Sequence, residues 1–310
     1  MMYVTLFGVT TVLSEDQPVG ITEFGGGKPR EILEILAVAG GAPVAKDRLA
    51  ELLWDGTPPK SWVATLESYI SVLRRRLGCA PGRKSEIATT TNGYRLDLTR
   101  VSVDVVRFRA MAAEAARLPV RESLSLVDEA LALASGELLA SEPTADWAQR
   151  EKDLFRSDLV KLAGVGATRA LEIGDVEAAG RYATIATQYD PIDEVGWQQL
   201  MQARWRAGRR SDALRAYAEL RTVLAAELGV EPCAQSRDLY MQILRDEPVD
   251  GPADVDGEQR LEIKMLTDLL HQCLETLGSA DHHLADAWSR AQRGLNDFER
   301  ALTPAAVTAA

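Results

Sequence analysis

The sequence predicts an α+β N-terminal domain, an all-α domain behind it and a helical tail at the C-terminus. Three observations lead there. Residues 60–98 read as a basic amphipathic helix followed by a short hairpin. Further along, two helical segments repeat at an offset of 34 residues. An acidic, Pro- and Gly-rich stretch, DEPVDGPADVDG, then separates that array from two more amphipathic patterns.

On a wheel of about 100° per residue, Val63, Leu66, Ile70, Leu73 and Leu77 share one side, flanked by Trp62 and Tyr69. The opposite side carries Ser61, Ala64, Ser68, Ser71 and Arg75, with Thr65 and Val72 on one flank and Glu67 and Arg74 on the other. One face is built to pack; the other is small, polar and basic. A helix with short outward side chains fits the major groove of B-DNA, which is about 12 Å wide. Asn92-Gly93 lies between two alternating runs, and that pair favours the tight turn of a hairpin. Helix then hairpin is the order of a winged helix. A solvated helix would show the same wheel, so the surroundings decide.

The N-terminal elements fit that fold. Residues 3–13 and 20–24 alternate and are rich in Val, Thr and Phe, which predicts short strands. Gly25-Gly26-Gly27-Lys28 is not a phosphate loop, because Pro29 follows the lysine where the motif needs Ser or Thr. Pro29 suits the first turn of a helix, and Ile32, Leu33, Ile35, Leu36 and Val38 give it an apolar stripe that Gly40-Gly41 ends. Residues 46–54 form a second short helix with Leu49, Leu52 and Leu53 inward. The link Asp55-Gly56-Thr57-Pro58-Pro59 cannot be helical.

From residue 101 the patterns are helical only: 104–118, 120–134 and 147–173. Aligning Gly174 with Gly208 also aligns Ala179 with Ala213 and Ala183 with Tyr217, the tetratricopeptide period. Small residues allow close helix crossings there, while Trp197, Leu200 and Tyr217 fill the gaps. Beyond the linker, Leu261, Met265, Leu269, Leu270, Leu274 and Leu277 mark one helix, and Leu284, Trp288, Leu295 and Phe298 another. These form either a helical hairpin packed back on the array or a self-association surface.

Composition sets the bounds. A chain of 310 residues holds about two or three domains, and 46% hydrophobic content supplies their cores. No apolar run approaches the roughly 18 residues of a membrane span, and the N-terminus lacks the basic and apolar regions of a signal peptide. A cytoplasmic protein is expected. Cys79, Cys233 and Cys273 form neither a metal pair nor an even disulfide set, and His271, His282 and His283 come without a third-ligand pattern. No catalytic residue, metal or cofactor is expected, and no enzyme. The net charge of −11 disfavours nucleic acid until it is mapped. Residues 1–100 hold 12 basic and 11 acidic residues, and 60–100 hold 8 and 3, so the positive charge is local. Local positive charge is what meets phosphate.

The runs KPREILEILAVAGGAPVAKDRLAELLW, ATLESYISVLRRRLG and IATTTNGYRLDL together resemble the OmpR-type winged-helix domain, in the version found in Streptomyces antibiotic regulatory proteins, the SARP family. The continuation LAAELGVEPCAQSRDLYMQIL resembles the end of that family's bacterial transcriptional activation domain. The implied architecture is an α+β winged helix-turn-helix at 1–100, a tetratricopeptide-like domain at 101–246, a linker at 247–258 and a helical tail at 259–302.

The resemblance implies that the third helix enters the major groove, through Thr65, Glu67, Ser68, Ser71, Val72, Arg74 and Arg75, and that the wing reaches the minor groove through Thr90, Thr91, Asn92, Tyr94 and Arg95. Several relatives carry an arginine where this chain has Thr90, so the wing contact is weaker here or shared by Arg95. Ser61 opens the helix, and Lys60, Arg74, Arg75, Arg76, Arg83 and Lys84 supply phosphate contacts. The implied partners are double-stranded promoter DNA, bound as head-to-tail dimers on direct repeats near the −35 element, and RNA polymerase with its sigma factor. The latter meet the loop Trp54, Asp55, Gly56, Thr57, Pro58 and Pro59. The implied role is activation of a secondary-metabolite cluster. A protein-interaction scaffold and a ligand-responsive regulator are the alternatives. No receiver-domain pattern is read in the sequence, so a response regulator is not expected.

Overall fold

The computed structural model describes residues 1–14, 17–19, 24–79 and 85–245. Met1–Asp246 form one compact unit. The chain opens with β1 (Met2–Thr5), β2 (Thr11–Ser14) and β3 (Gln17–Val19), which pair antiparallel in sequence. The expected strand over 20–24 falls largely outside the described residues; Phe24, the part that is described, is a buried bend.

Three helices follow: α1 (Gly27–Val38), α2 (Lys46–Leu53) and α3 (Trp62–Arg76). The wing is β5 (Ile87–Thr89) and β6 (Gly93–Leu96), joined at its free edge by the two-residue β4 (Val44–Ala45). Ile32, Leu33, Leu36, Leu49, Leu53, Leu66, Ile70 and Leu73 are almost fully buried and form the core of this region. Residues 101–103, read as the start of a purely helical region, instead form a strand, β7 (Val101–Val103), parallel to β1. Three residues are too few for a period to show, and the partner strand lies a hundred residues away.

The helical region contains α4 (Asp104–Ala115), α5 (Val120–Leu133), α6 (Asp146–Glu172), α7 (Val176–Tyr189), α8 (Glu194–Arg206), α9 (Arg210–Glu227) and α10 (Ala234–Arg245). Each packs on its sequence neighbour, as short connections between antiparallel helices require. Small residues set the spacing. A Cβ on Gly166 would lie 2.9 Å from the Tyr182 ring.

The two regions share a packed seam. Asp104 caps β1 by accepting from the backbone N–H groups of Leu6 and Phe7 at 2.7 and 2.9 Å. Phe108 meets Phe7 and Phe155 edge to face, and Phe7 and Phe155 are tilted against each other, with centroids 5.0–6.2 Å apart. Trp147 Nε1 donates to Glu31 at 3.2 Å, and Arg30 pairs with Glu142. Helix α1 is thereby held between α3 and α4, and its position is fixed from both sides.

Candidate nucleic-acid interface

The third helix forms because its apolar residues recur every three or four positions and no Gly or Pro interrupts it. Leu66, Ile70, Leu73 and, just past its end, Leu77 are buried. Val63, expected on the same face, is 41% exposed. It sits in the first turn, ahead of the point where the core begins. Ser61, Ala64, Glu67, Ser68, Ser71, Arg75 and Arg76 are exposed, and Thr65 is half-buried. Lys60, just upstream, is also exposed.

Two expected readers are engaged elsewhere. Val72 is half-buried, and its side chain lies 2.4 Å from where a Cβ on Gly25 would stand. It packs on the chain leading into α1. Arg74 turns back to the wing. Its Nε and Nη2 donate to the Ile87 carbonyl at 3.1 and 2.5 Å, and Nη2 donates to Thr89 Oγ1 at 2.8 Å. Its guanidinium also lies 5.8 Å from the Tyr94 ring centroid. Arginine suits this place because one planar fork serves several acceptors while stacking on an aromatic face.

Tyr94, expected on the outer surface of the wing, is buried at 4% exposure. Alternation along β6 turns it inward, where the Lys46 ammonium lies 5.9 Å from its ring centroid. Burial raises its hydroxyl pKa. Lys46 in turn pairs with Glu67 of the helix at 2.6 Å, and this bond holds its ammonium above the ordinary value. Arg74, Tyr94, Lys46 and Glu67 thus form a belt between helix and wing. The wheel carried a signal for it, since Glu67 and Arg74 share a flank two turns apart.

At the wing, Thr91, Asn92 and Arg95 are exposed and Thr90 is half-buried. The hairpin closes by a bond from Thr90 N–H to the Gly93 carbonyl at 2.9 Å. Gly93 is not needed for a left-handed turn, because its φ lies outside that range. It is needed for approach: a Cβ there would stand 1.8 Å from the Val44 carbonyl oxygen. Arg83 and Lys84 lie outside the described residues. In the loop after α2, Trp54 stacks on Tyr69 with centroids 6.5 Å apart, while Asp55, Gly56, Thr57, Pro58 and Pro59 are exposed. Lys28 of the glycine-rich stretch donates to the Leu53 carbonyl at 2.5 Å and to Glu31 at 2.8 Å, so it caps α2.

Cys79 borders the cleft between helix and wing, and burial pushes its thiol up to about 12. It is a packing residue. Among the described residues no group of three His, Cys, Asp or Glu is placed to hold a metal, and no helix is long and apolar enough to cross a membrane.

Comparison with known proteins agrees with this geometry. Residues 25–96 match the family described as Transcriptional regulatory protein, C terminal, and residues 103–244 match Bacterial transcriptional activator domain. The regulatory protein DnrI of Streptomyces peucetius is 32% identical over 248 residues, covering 71% of this chain and 85% of DnrI. The regulatory protein AfsR of Streptomyces griseus is 30% identical over 235 residues, covering 74% of this chain; the chain spans only 24% of AfsR. A solved structure of Mycobacterium tuberculosis EmbR in complex with low affinity phosphopeptide superposes with a TM-score of 0.67 at 28% identity, covering 80% of this chain and 66% of that one. An OmpR-type winged helix followed by an activator domain, together with the likeness to DnrI over most of its length, places this chain in the SARP family of transcriptional regulators.

Proposed function

We propose that the chain activates promoters by laying α3 in the major groove and the wing across the neighbouring minor groove. The observation that carries this reading is the exposed front of α3, where Ser61, Ser68, Ser71 and Arg75 stand free beside half-buried Thr65. Short hydroxyl side chains let the backbone approach the base edges, and Arg75 reaches guanine or phosphate. Lys60 and Arg76 face solvent at the two ends of α3, placed for phosphate oxygens. Arg83 and Lys84 extend that set by sequence. Thr91, Asn92 and Arg95 are the wing's outward groups, and Thr90 lies behind them.

Arg74, Tyr94, Glu67 and Val72 have a different part in this reading. They hold the angle between helix and wing and do not carry base contacts of their own. With few long side chains on its front, one copy reads few bases, which favours two copies on direct repeats near the −35 element. The exposed loop from Asp55 to Pro59 is the proposed surface for RNA polymerase and its sigma factor. The proposed target is a secondary-metabolite cluster.

A gel shift with DNA from upstream of the chain's own gene tests the reading. Binding should weaken with salt, with a slope near 0.9 per phosphate contacted. Arg75→Ala with Arg76→Ala should lower that slope by about 2 while the helical CD spectrum holds. An unchanged slope in that double variant overturns the assignment.

A further inference from the structure

The helical array carries a second basic site that the DNA reading does not use. A groove of about 580 Å³ opens between α7, α8 and the start of α9, lined by Gly180, Arg181, Thr184, Leu200, Arg204 and Arg209, with Ile185 and Glu177 beside them. Three arginines line it. Among the described residues, neither Arg181 nor Arg209 makes an ion pair within 4.0 Å, and Arg204 donates to the backbone carbonyl of Asp212 at 3.1 Å. Arg181 leans over the Tyr182 ring, 5.8 Å from its centroid. Glu177 is the single carboxylate among the lining residues.

The repeat shows that one of these arginines is out of place for stability. At the offset of 34 residues, Arg209 occupies the position that Asp175 holds in the preceding unit. Asp175 caps α7 by accepting from the Ala178 N–H at 2.9 Å. Arg209 stands at the same place before α9 and makes no side-chain cap bond. An arginine there forfeits the cap and puts a cation at the positive end of a helix. Local rules broken in this way mark functional positions more often than neutral ones.

We propose that this groove binds an acidic peptide segment of a partner protein. Carboxylates would meet Arg181, Arg204 and Arg209, and an apolar side chain would rest on Ile185 and Leu200. The apolar floor favours a peptide over a bare phosphate, which would leave Ile185 and Leu200 unused. Bidentate guanidinium-carboxylate pairs give the site its selectivity for charge.

The test uses the full chain and a fluorescein-labelled peptide of aspartates and glutamates around one leucine, followed by fluorescence anisotropy. Expected are saturable binding, weakening with salt, and no binding of the same peptide with lysines for its acids. Arg181→Glu and Arg209→Asp should each raise the dissociation constant at least ~10-fold, or about 1.4 kcal/mol. Arg209→Asp restores the cap, so its melting temperature should equal or exceed that of the parent. Both variants should keep their promoter gel shift, which separates this result from the DNA reading. Should Arg209→Asp fail to fold, Arg181→Glu, which is in no cap, decides alone. No binding of the acidic peptide, binding unchanged in Arg181→Glu, or binding of inorganic pyrophosphate without the peptide overturns the proposal.

Discussion

Glu34 is fully buried on α1, with Thr10 Oγ1 donating to it at 2.5 Å and Arg30 Nε 3.3 Å away. Its second oxygen has no hydrogen-bond partner among the described residues, and Glu142 competes for the same arginine. Burial raises its pKa to about 7 from an ordinary 4.5. The native state therefore holds a proton that the unfolded chain has released, and stability falls as pH rises from about 4.5 to 7. Asp104, also raised by burial, acts in the same direction. Thermal melts across that range should show the fall, and Glu34→Gln should flatten most of it and melt higher than the parent above pH 7. A steeper fall in the variant would contradict this. Arg74 offers a second prediction at this scale. Arg74→Lys keeps the charge and loses the fork, so hydroxyl-radical protection of the minor groove should disappear while guanine N7 protection in the major groove weakens only about tenfold, or 1.4 kcal/mol. Equal loss of both would make Arg74 a base or phosphate contact after all.

The wing depends on the contact that Gly93 permits. Gly93→Ala puts a methyl group into the Val44 carbonyl and should cost about 3 kcal/mol, read as a lower melting temperature and lost wing protection with the α-helical CD signal kept. How well each element could be read from the sequence follows its length. The helices of the array, and α1 to α3, span two turns or more, so their apolar periods show and their limits fall within a few residues of expectation. β4 and β7 are two and three residues long, and their partners are remote, so no local pattern announces them. Gly93 was legible as important for the wrong reason: the dipeptide signalled a turn, whereas the constraint comes from a strand nearly fifty residues away. The front of α3 was legible because exposure follows the wheel. Val72 and Arg74 were read as outward-facing because a wheel cannot show which flank another element covers.

Across the molecule, charge and packing divide the labour. The excess of basic residues lies in 60–100, within a chain of net charge −11. Asp104 and the phenylalanine cluster tie β1 to the helical array, so Met1–Asp246 should melt as one transition. Asp104→Ala removes the acceptor of two buried N–H groups and should cost about 2–3 kcal/mol, lowering the melting temperature without splitting the transition. Two separated transitions would show that the regions fold apart. The front of α3 is exposed on this scaffold, and the proposed sequence reading rests on it. Selection of genomic DNA fragments by the purified chain, followed by sequencing, should yield a directly repeated motif. The triple variant Ser68→Ala, Ser71→Ala, Arg75→Ala should lose that motif while keeping the fold; enrichment of the same motif by the variant would place sequence reading elsewhere in the molecule.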